Sequence, residues 1–161
     1  MPPTTNNQQP TTQYVDIANA REDSQREVMK QIIESEHCPF CPENLHLYHQ
    51  QKNDFDGKYW FITKNQWPYK NTKAHYLAIL KRHAEMISDL SLEEGAELIE
   101  LLGKLEKKLK APGGGFAVRF GDTNYSAGTV RHIHAQFFIP DIDKPDFLPV
   151  RFKIGKDKEK R

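Results

Sequence analysis

The stretch His132 to Ile139, HIHAQFFI, constrains this chain more than any other. Polar and apolar residues alternate over its first six positions. That is the period of a β-strand, whose side chains point to opposite faces in turn. His132, His134 and Gln136 therefore share one face, and Ile133, Ala135 and Phe137 the other. Neighbours on one face stand roughly 6.6 Å apart, twice the rise per residue. Two imidazoles so spaced do not easily act on one atom, but they can do two jobs side by side. The competing reading is a half-exposed strand with its histidines in water, and alternation alone does not separate the two.

The rest of the chain supplies partners for such a strand. A helix is expected from Tyr14 to Ser35, with Val28, Ile32 and Ile33 as its apolar stripe. Pro39 and Pro42 are expected to stop regular structure in HCPFCPEN. Strands are expected at Lys58–Thr63, His75–Leu80, FAVRFGD, the histidine stretch and PVRFKI. The apolar run at His75–Leu80 suits a central strand. The clearest helix follows Ser91, which forms a capping box with Glu94. Leu98, Leu101, Leu102, Leu105 and Leu109 make its apolar face, and APGGG ends it. This order predicts an α+β fold: a largely antiparallel sheet, a long helix packed on it and an N-terminal helix.

A chain of 161 residues suits one domain, here 14–154. The polar, Pro-rich segment 1–13 is expected to be disordered, and the charged segment 155–161 to fray. The net charge is +1 with both signs interspersed, so no broad basic field points to nucleic acid. No apolar run is long enough for a membrane span, and the start lacks the pattern of a secretory signal. Two cysteines imply no disulfide framework. A cytoplasmic location is the default expectation.

Two further motifs carry chemistry. The loop GDTNYSAGT holds Asn124, Ser126, Gly128 and Thr129. Small residues let a backbone approach a ligand, and N–H and hydroxyl groups can donate to phosphate oxygens. An ordinary hairpin turn would use the same residues. Cys38-Pro39-Phe40-Cys41 reads as half of a zinc site, because a two-residue gap lets both thiolates face one ion. His46 and His49 could complete it locally. A thiol-redox motif is the other reading, although such a motif normally opens a helix after a strand.

Taken in order, NQWP, HYLAILKRH, a leucine-rich helix and AGTVRHIHAQFF resemble the histidine triad (HIT) superfamily over roughly residues 38–140. Gln136 stands where the usual signature has a third histidine. This resembles the branch of galactose-1-phosphate uridylyltransferase and the diadenosine tetraphosphate phosphorylases. Leu80 departs from the proline common before the basic pair.

The resemblance implies a HIT-like fold, a homodimer and attack on the α-phosphorus of a nucleotide. By that resemblance His134 is the nucleophile, and Gln136 binds a non-bridging oxygen. Ser126, Gly128 and Thr129 cradle the phosphate, and Asn65, with Trp67 nearby, meets the ribose and base. It also implies a structural zinc on Cys38, Cys41, His83 and His132. The substrates implied are dinucleoside polyphosphates or nucleotide sugars, handled by transfer, phosphorolysis or hydrolysis. A non-catalytic, zinc-stabilised nucleotide binder using the same pocket is the alternative.

Overall fold

A computed structural model describes residues 13–161. The expectation for the N-terminal tail therefore lies, all but Gln13, outside the described residues.

Five strands form one antiparallel sheet: β1 (Asn53–Asp56), β2 (Trp60–Lys64), β3 (Thr72–Leu80), β4 (Gly115–Arg119) and β5 (His134–Pro140). Their order is β1-β2-β3-β5-β4. The helices are α1 (Asp23–Ser35), α2 (Pro42–Tyr48), α3 (Leu92–Leu109) and the one-turn α4 (Thr123–Ser126). The architecture is α+β, as expected. No helix among the described residues is long and apolar enough to cross a membrane.

The leucine-rich helix α3 begins where the sequence places it. Ser91 Oγ accepts the Glu94 N–H at 3.1 Å, and the Glu94 carboxylate accepts the Ser91 N–H at 2.8 Å. Leu98, Leu101, Leu102 and Leu105 are buried, with Leu109 partly so. They pack on Trp60, Ile62, Tyr76, Ala78, Ile133, Ala135 and Phe137 from one face of the sheet. Polar bonds fix the helix against β2. The Glu97 carboxylate accepts the N–H groups of Lys58, Tyr59 and Trp60 at 2.7, 2.6 and 2.9 Å. The Trp60 indole N–H donates to the Glu94 carbonyl at 2.8 Å.

Several boundaries differ from expectation, each for a local reason. The first helix starts at Asp23, not Tyr14. Val15 instead bridges to Val130, and Asp16 caps a 3-10 turn at Ile17–Asn19. The buried side of α1 is Gln25, Met29 and Ile32, while Ile33 is exposed. Pro42 does not stop structure but starts α2 at its first turn, where a missing N–H costs nothing. PVRFKI forms no strand, and the fifth strand is β1, which pairs with β2. The charged end does not simply fray. Lys156 is buried and its ammonium lies 2.6 Å from the Asp16 carboxylate, which also accepts the Thr123 hydroxyl.

The histidine stretch departs most instructively. β5 begins at His134, and His132 precedes it. His132, His134 and Gln136 are all buried, so their face is not a wet one. β5 lies between β3 and β4, with α3 over one face and the Cys38–Cys41 and α2 segments over the other.

Candidate active site and metal centre

Sheet register assembles the site. Ile79, Leu77 and His75 on β3 oppose His134, Gln136 and Phe138 on β5, and Arg119 on β4 opposes His134 from the other side. Cross-strand partners share a face, so His75, Arg119, His134 and Gln136 all present to one side. A cavity of about 670 Å³ opens there, lined by His134, Gln136, Asn65, Trp67, Thr129 and Arg119 among others.

His134 is held in one tautomer. Its Nδ1 lies 2.7 Å from the His132 carbonyl, which accepts only a proton-bearing nitrogen. Nε2 is therefore the unprotonated nitrogen. Burial pushes this imidazole down to about 4, and the nearby Arg119 charge acts in the same direction, so the ring is neutral at pH 7. The Phe40 ring packs edge-on against it, centroids 5.1 Å apart.

Gln136 is oriented by a residue that sequence reading passed over. The Tyr69 N–H donates to His75 Nδ1 at 3.0 Å, so the proton of this neutral ring sits on Nε2. That N–H donates to Gln136 Oε1 at 3.0 Å. The Gln136 carbonyl is thereby committed to His75, leaving its NH₂ as the group available for a ligand. His75 is itself pushed down to about 4, chiefly by burial, against the raising effect of the Gln136 bond. Asn65 completes the cluster. Its Oδ1 accepts the Trp67 N–H at 2.9 Å, and its amide nitrogen lies 3.2 Å from His75 Nε2.

The loop before β5 is neither a plain hairpin nor wholly a ligand cradle. Asp122 caps α4, and Ala127 ends it with φ of 55°. Ser126 Oγ accepts the Gly128 N–H at 3.2 Å, so both groups are used inside the turn. Ala127 and Thr129 line the cavity, whereas Ser126 and Gly128 lie behind them. Asn124 is exposed and away from the cavity, its carbonyl accepting the Lys156 N–H at 2.8 Å. The short helix turns it outward.

The second cluster lies at the start of the same strand. Ligand atoms of Cys38, Cys41, His83 and His132 all fall within 4.8 Å of one another. His132 Nε2 is 2.6 Å from the Leu80 carbonyl and so carries the proton. Its free Nδ1 faces Cys38 Sγ at 3.2 Å and Cys41 Sγ at 3.9 Å. His83 Nδ1 is 3.8 Å from Cys41 Sγ. Its other nitrogen lies 3.4 Å from a Glu85 carboxylate oxygen, the arrangement that orients a histidine ligand.

Two sulfurs and two unprotonated nitrogens at this separation fit a tetrahedral zinc with no open position. The local alternative is not assembled. His49 is hydrogen-bonded to the Thr63 hydroxyl at 2.8 Å, and His46 is exposed on α2. Burial pushes the Cys38 thiol up to about 12, the opposite direction from the lowered value of a redox-active cysteine.

No family model and no curated protein matches the sequence. Solved structures do. A hypothetical protein from Leishmania major is 23% identical, covering 77% of this chain and 84% of its own, with a TM-score of 0.56. A zinc-bound histidine triad family protein from Mycobacterium smegmatis is 21% identical, covering 78% and 87%, with a TM-score of 0.53. A histidine triad nucleotide-binding protein from Candida albicans is 19% identical, covering 63% and 73%, with a TM-score of 0.52.

The chain has the histidine triad fold.

Within that fold, the structure brings His134, Gln136, Asn65 and Thr129 to one cavity, and the four expected metal ligands to one point. It adds His75, Arg119 and Phe40, which sequence reading missed. His75 sat in an apolar run read only for its burial. Arg119 stands in a strand whose partner was unknown.

Proposed function

We propose that this protein is a nucleotidyl transferase, phosphorylase or hydrolase acting at the α-phosphorus of a nucleotide. One observation carries the reading: a neutral histidine with Nε2 unprotonated, beside a glutamine whose NH₂ is the free end, in one cavity. In the first step, His134 Nε2 attacks phosphorus. A P–N bond forms, the bond to the leaving oxygen breaks, and its electron pair departs with the leaving phosphate. The proton stays on Nδ1, donated in a hydrogen bond to the His132 carbonyl, which stabilises the positive charge on the ring. Gln136 donates an N–H to a non-bridging oxygen as charge builds there. In the second step, a phosphate or water oxygen displaces the histidine.

Cys38, Cys41, His83 and His132 would hold zinc as a structural ion tying the first lobe to the sheet. With four protein ligands it supplies no Lewis-acid position. A homodimer belongs to this reading, as does a substrate drawn from dinucleoside polyphosphates or nucleotide sugars.

Intact-mass measurement after incubation with such substrates tests it. A nucleotidyl adduct on the wild type that is absent in His134→Ala is expected, with turnover falling by orders of magnitude and nucleotide binding retained. Tight binding with neither adduct nor turnover would instead make the protein a non-catalytic nucleotide binder.

A further inference from the structure

Arg119 is poised for a ligand that the structure does not otherwise explain. Its Nη1 donates to the Tyr69 hydroxyl at 2.9 Å and its Nη2 to the Lys153 carbonyl at 2.7 Å. Its guanidinium carbon sits 3.8 Å from the centroid of Phe152. Its third nitrogen, Nε, is buried and has no partner, alone in this among the buried side-chain N and O atoms of the described residues. An unpaired buried donor costs free energy, more so on a charged group. Two held nitrogens and a stacked ring fix the plane of the guanidinium, so little entropy is lost when an anion meets it.

Its location gives the ligand. Arg119 opposes His134 in register. Its stem packs beside Gly128, where a Cβ would come within 3.5 Å of Arg119 Cδ. It lines the cavity together with Arg21, Lys70, Arg151, Lys153 and Lys160, against one acidic lining residue among those described, Glu22. Val28, Met29, Ile32 and Phe40 contribute an apolar wall to the same cavity. One cavity thus offers apolar surface suited to a base and cations suited to several phosphates. Sequence bulk properties conceal this, because a net charge of +1 averages over the whole chain.

Resting on the nucleotide reading above, we propose that Arg119 and these cations form a phosphate-chain subsite beside His134. The subsite makes the protein select ligands carrying two or more phosphates over those carrying one. Arg119 meets the phosphate next to His134, and the lysines and arginines beyond it meet the rest of the chain. A substrate with an extended polyphosphate is then favoured over one whose leaving group is a neutral sugar or an amine.

Calorimetry on the full zinc-loaded chain tests this, with adenosine, AMP, ADP, ATP and inorganic tripolyphosphate as ligands. His134→Asn is used for the nucleotides, so that none is consumed. Affinity should climb with phosphate number. Arg119→Met should weaken ATP and tripolyphosphate roughly 10- to 100-fold and leave adenosine unchanged, with Arg119→Lys in between. Arg151→Ser, at an exposed position, should cost tripolyphosphate a few-fold in affinity with an unchanged melting temperature. It carries the test if Arg119→Met does not fold. Equal affinity for AMP and ATP, or a phosphate series unmoved by Arg119→Met or by Arg151→Ser, overturns the subsite while leaving the nucleotide reading intact. Arg119-dependent tripolyphosphate binding without any nucleotide binding overturns the nucleotide reading and leaves the subsite standing.

Discussion

Cys38→Ser should perturb metal binding, stability and the setting of His134 together. Cys38 Sγ faces His132 Nδ1 at 3.2 Å and lies in a buried cluster whose members come from residues 38, 41, 83 and 132. Metal held there cross-links the loop before α2 to the end of β3 and the start of β5. Anything bound only by the folded state stabilises it by RT ln(1 + [L]/Kd), about 2.7 kcal/mol when free zinc is 100-fold above Kd. At about 2–4 °C per kcal/mol for a chain of this size, that is a loss of about 5–11 °C in melting temperature.

The assay is metal content by mass spectrometry alongside thermal unfolding, with and without a chelator. Wild type should hold close to one zinc per chain. Chelated wild type and Cys38→Ser should melt together, and chelator should not shift the variant further. Phe40 lies between the two cysteines and packs on the His134 ring at 5.1 Å, so nucleotidyl-adduct formation should slow in the same samples. Zinc retained in His83→Ala but lost in His49→Ala would refute the ligand assignment. A Cys38→Ser protein with full zinc and unchanged melting would refute the site.

Three further outcomes follow from named contacts. His75 is neutral when folded, with its folded value near 4 and its unfolded value near 6.5, so the unfolded chain binds the extra proton in that window. The stability it confers is therefore present above pH 6.5 and is lost as pH falls toward 4. Between pH 7 and 5 the wild type should lose roughly 2 kcal/mol more in denaturant melts than His75→Gln, and equal losses would exclude this role. Gln136→His introduces a group that can protonate a departing amine. The variant should gain phosphoramidate cleavage and shift from transfer toward hydrolysis; an unchanged product ratio counts against the proposed role of the amide. Glu97→Ala strips the acceptor from three consecutive N–H groups at the start of β2. Urea unfolding should show a cost of roughly 1–3 kcal/mol, and a neutral effect would mean that water replaces the carboxylate freely.

What sequence alone determined is what acts over a few residues. The Ser91–Glu94 capping box and the leucine stripe place α3, because a helix end satisfies its own N–H groups locally. The alternation around His134 sets it on one face with Gln136, and the two-residue gap between Cys38 and Cys41 sets two sulfurs on one side. The first helix starts later than its sequence pattern suggests because Val15 is drawn into a bridge with Val130, a partner more than a hundred residues away.

Tertiary structure alone decided which groups meet. Local spacing favours His46 and His49 for the cysteines as readily as His83 and His132. Sheet register and the turn after β3 deliver the distant pair instead, and Thr63 occupies His49. Gln136 is aimed by His75, 61 positions earlier, because β3 lies beside β5. Arg119 faces His134 because β4 closes the other side. Strand order costs chain entropy that only the whole core repays. No window of sequence contains that balance, so the chemistry of each residue was legible while its partner was not.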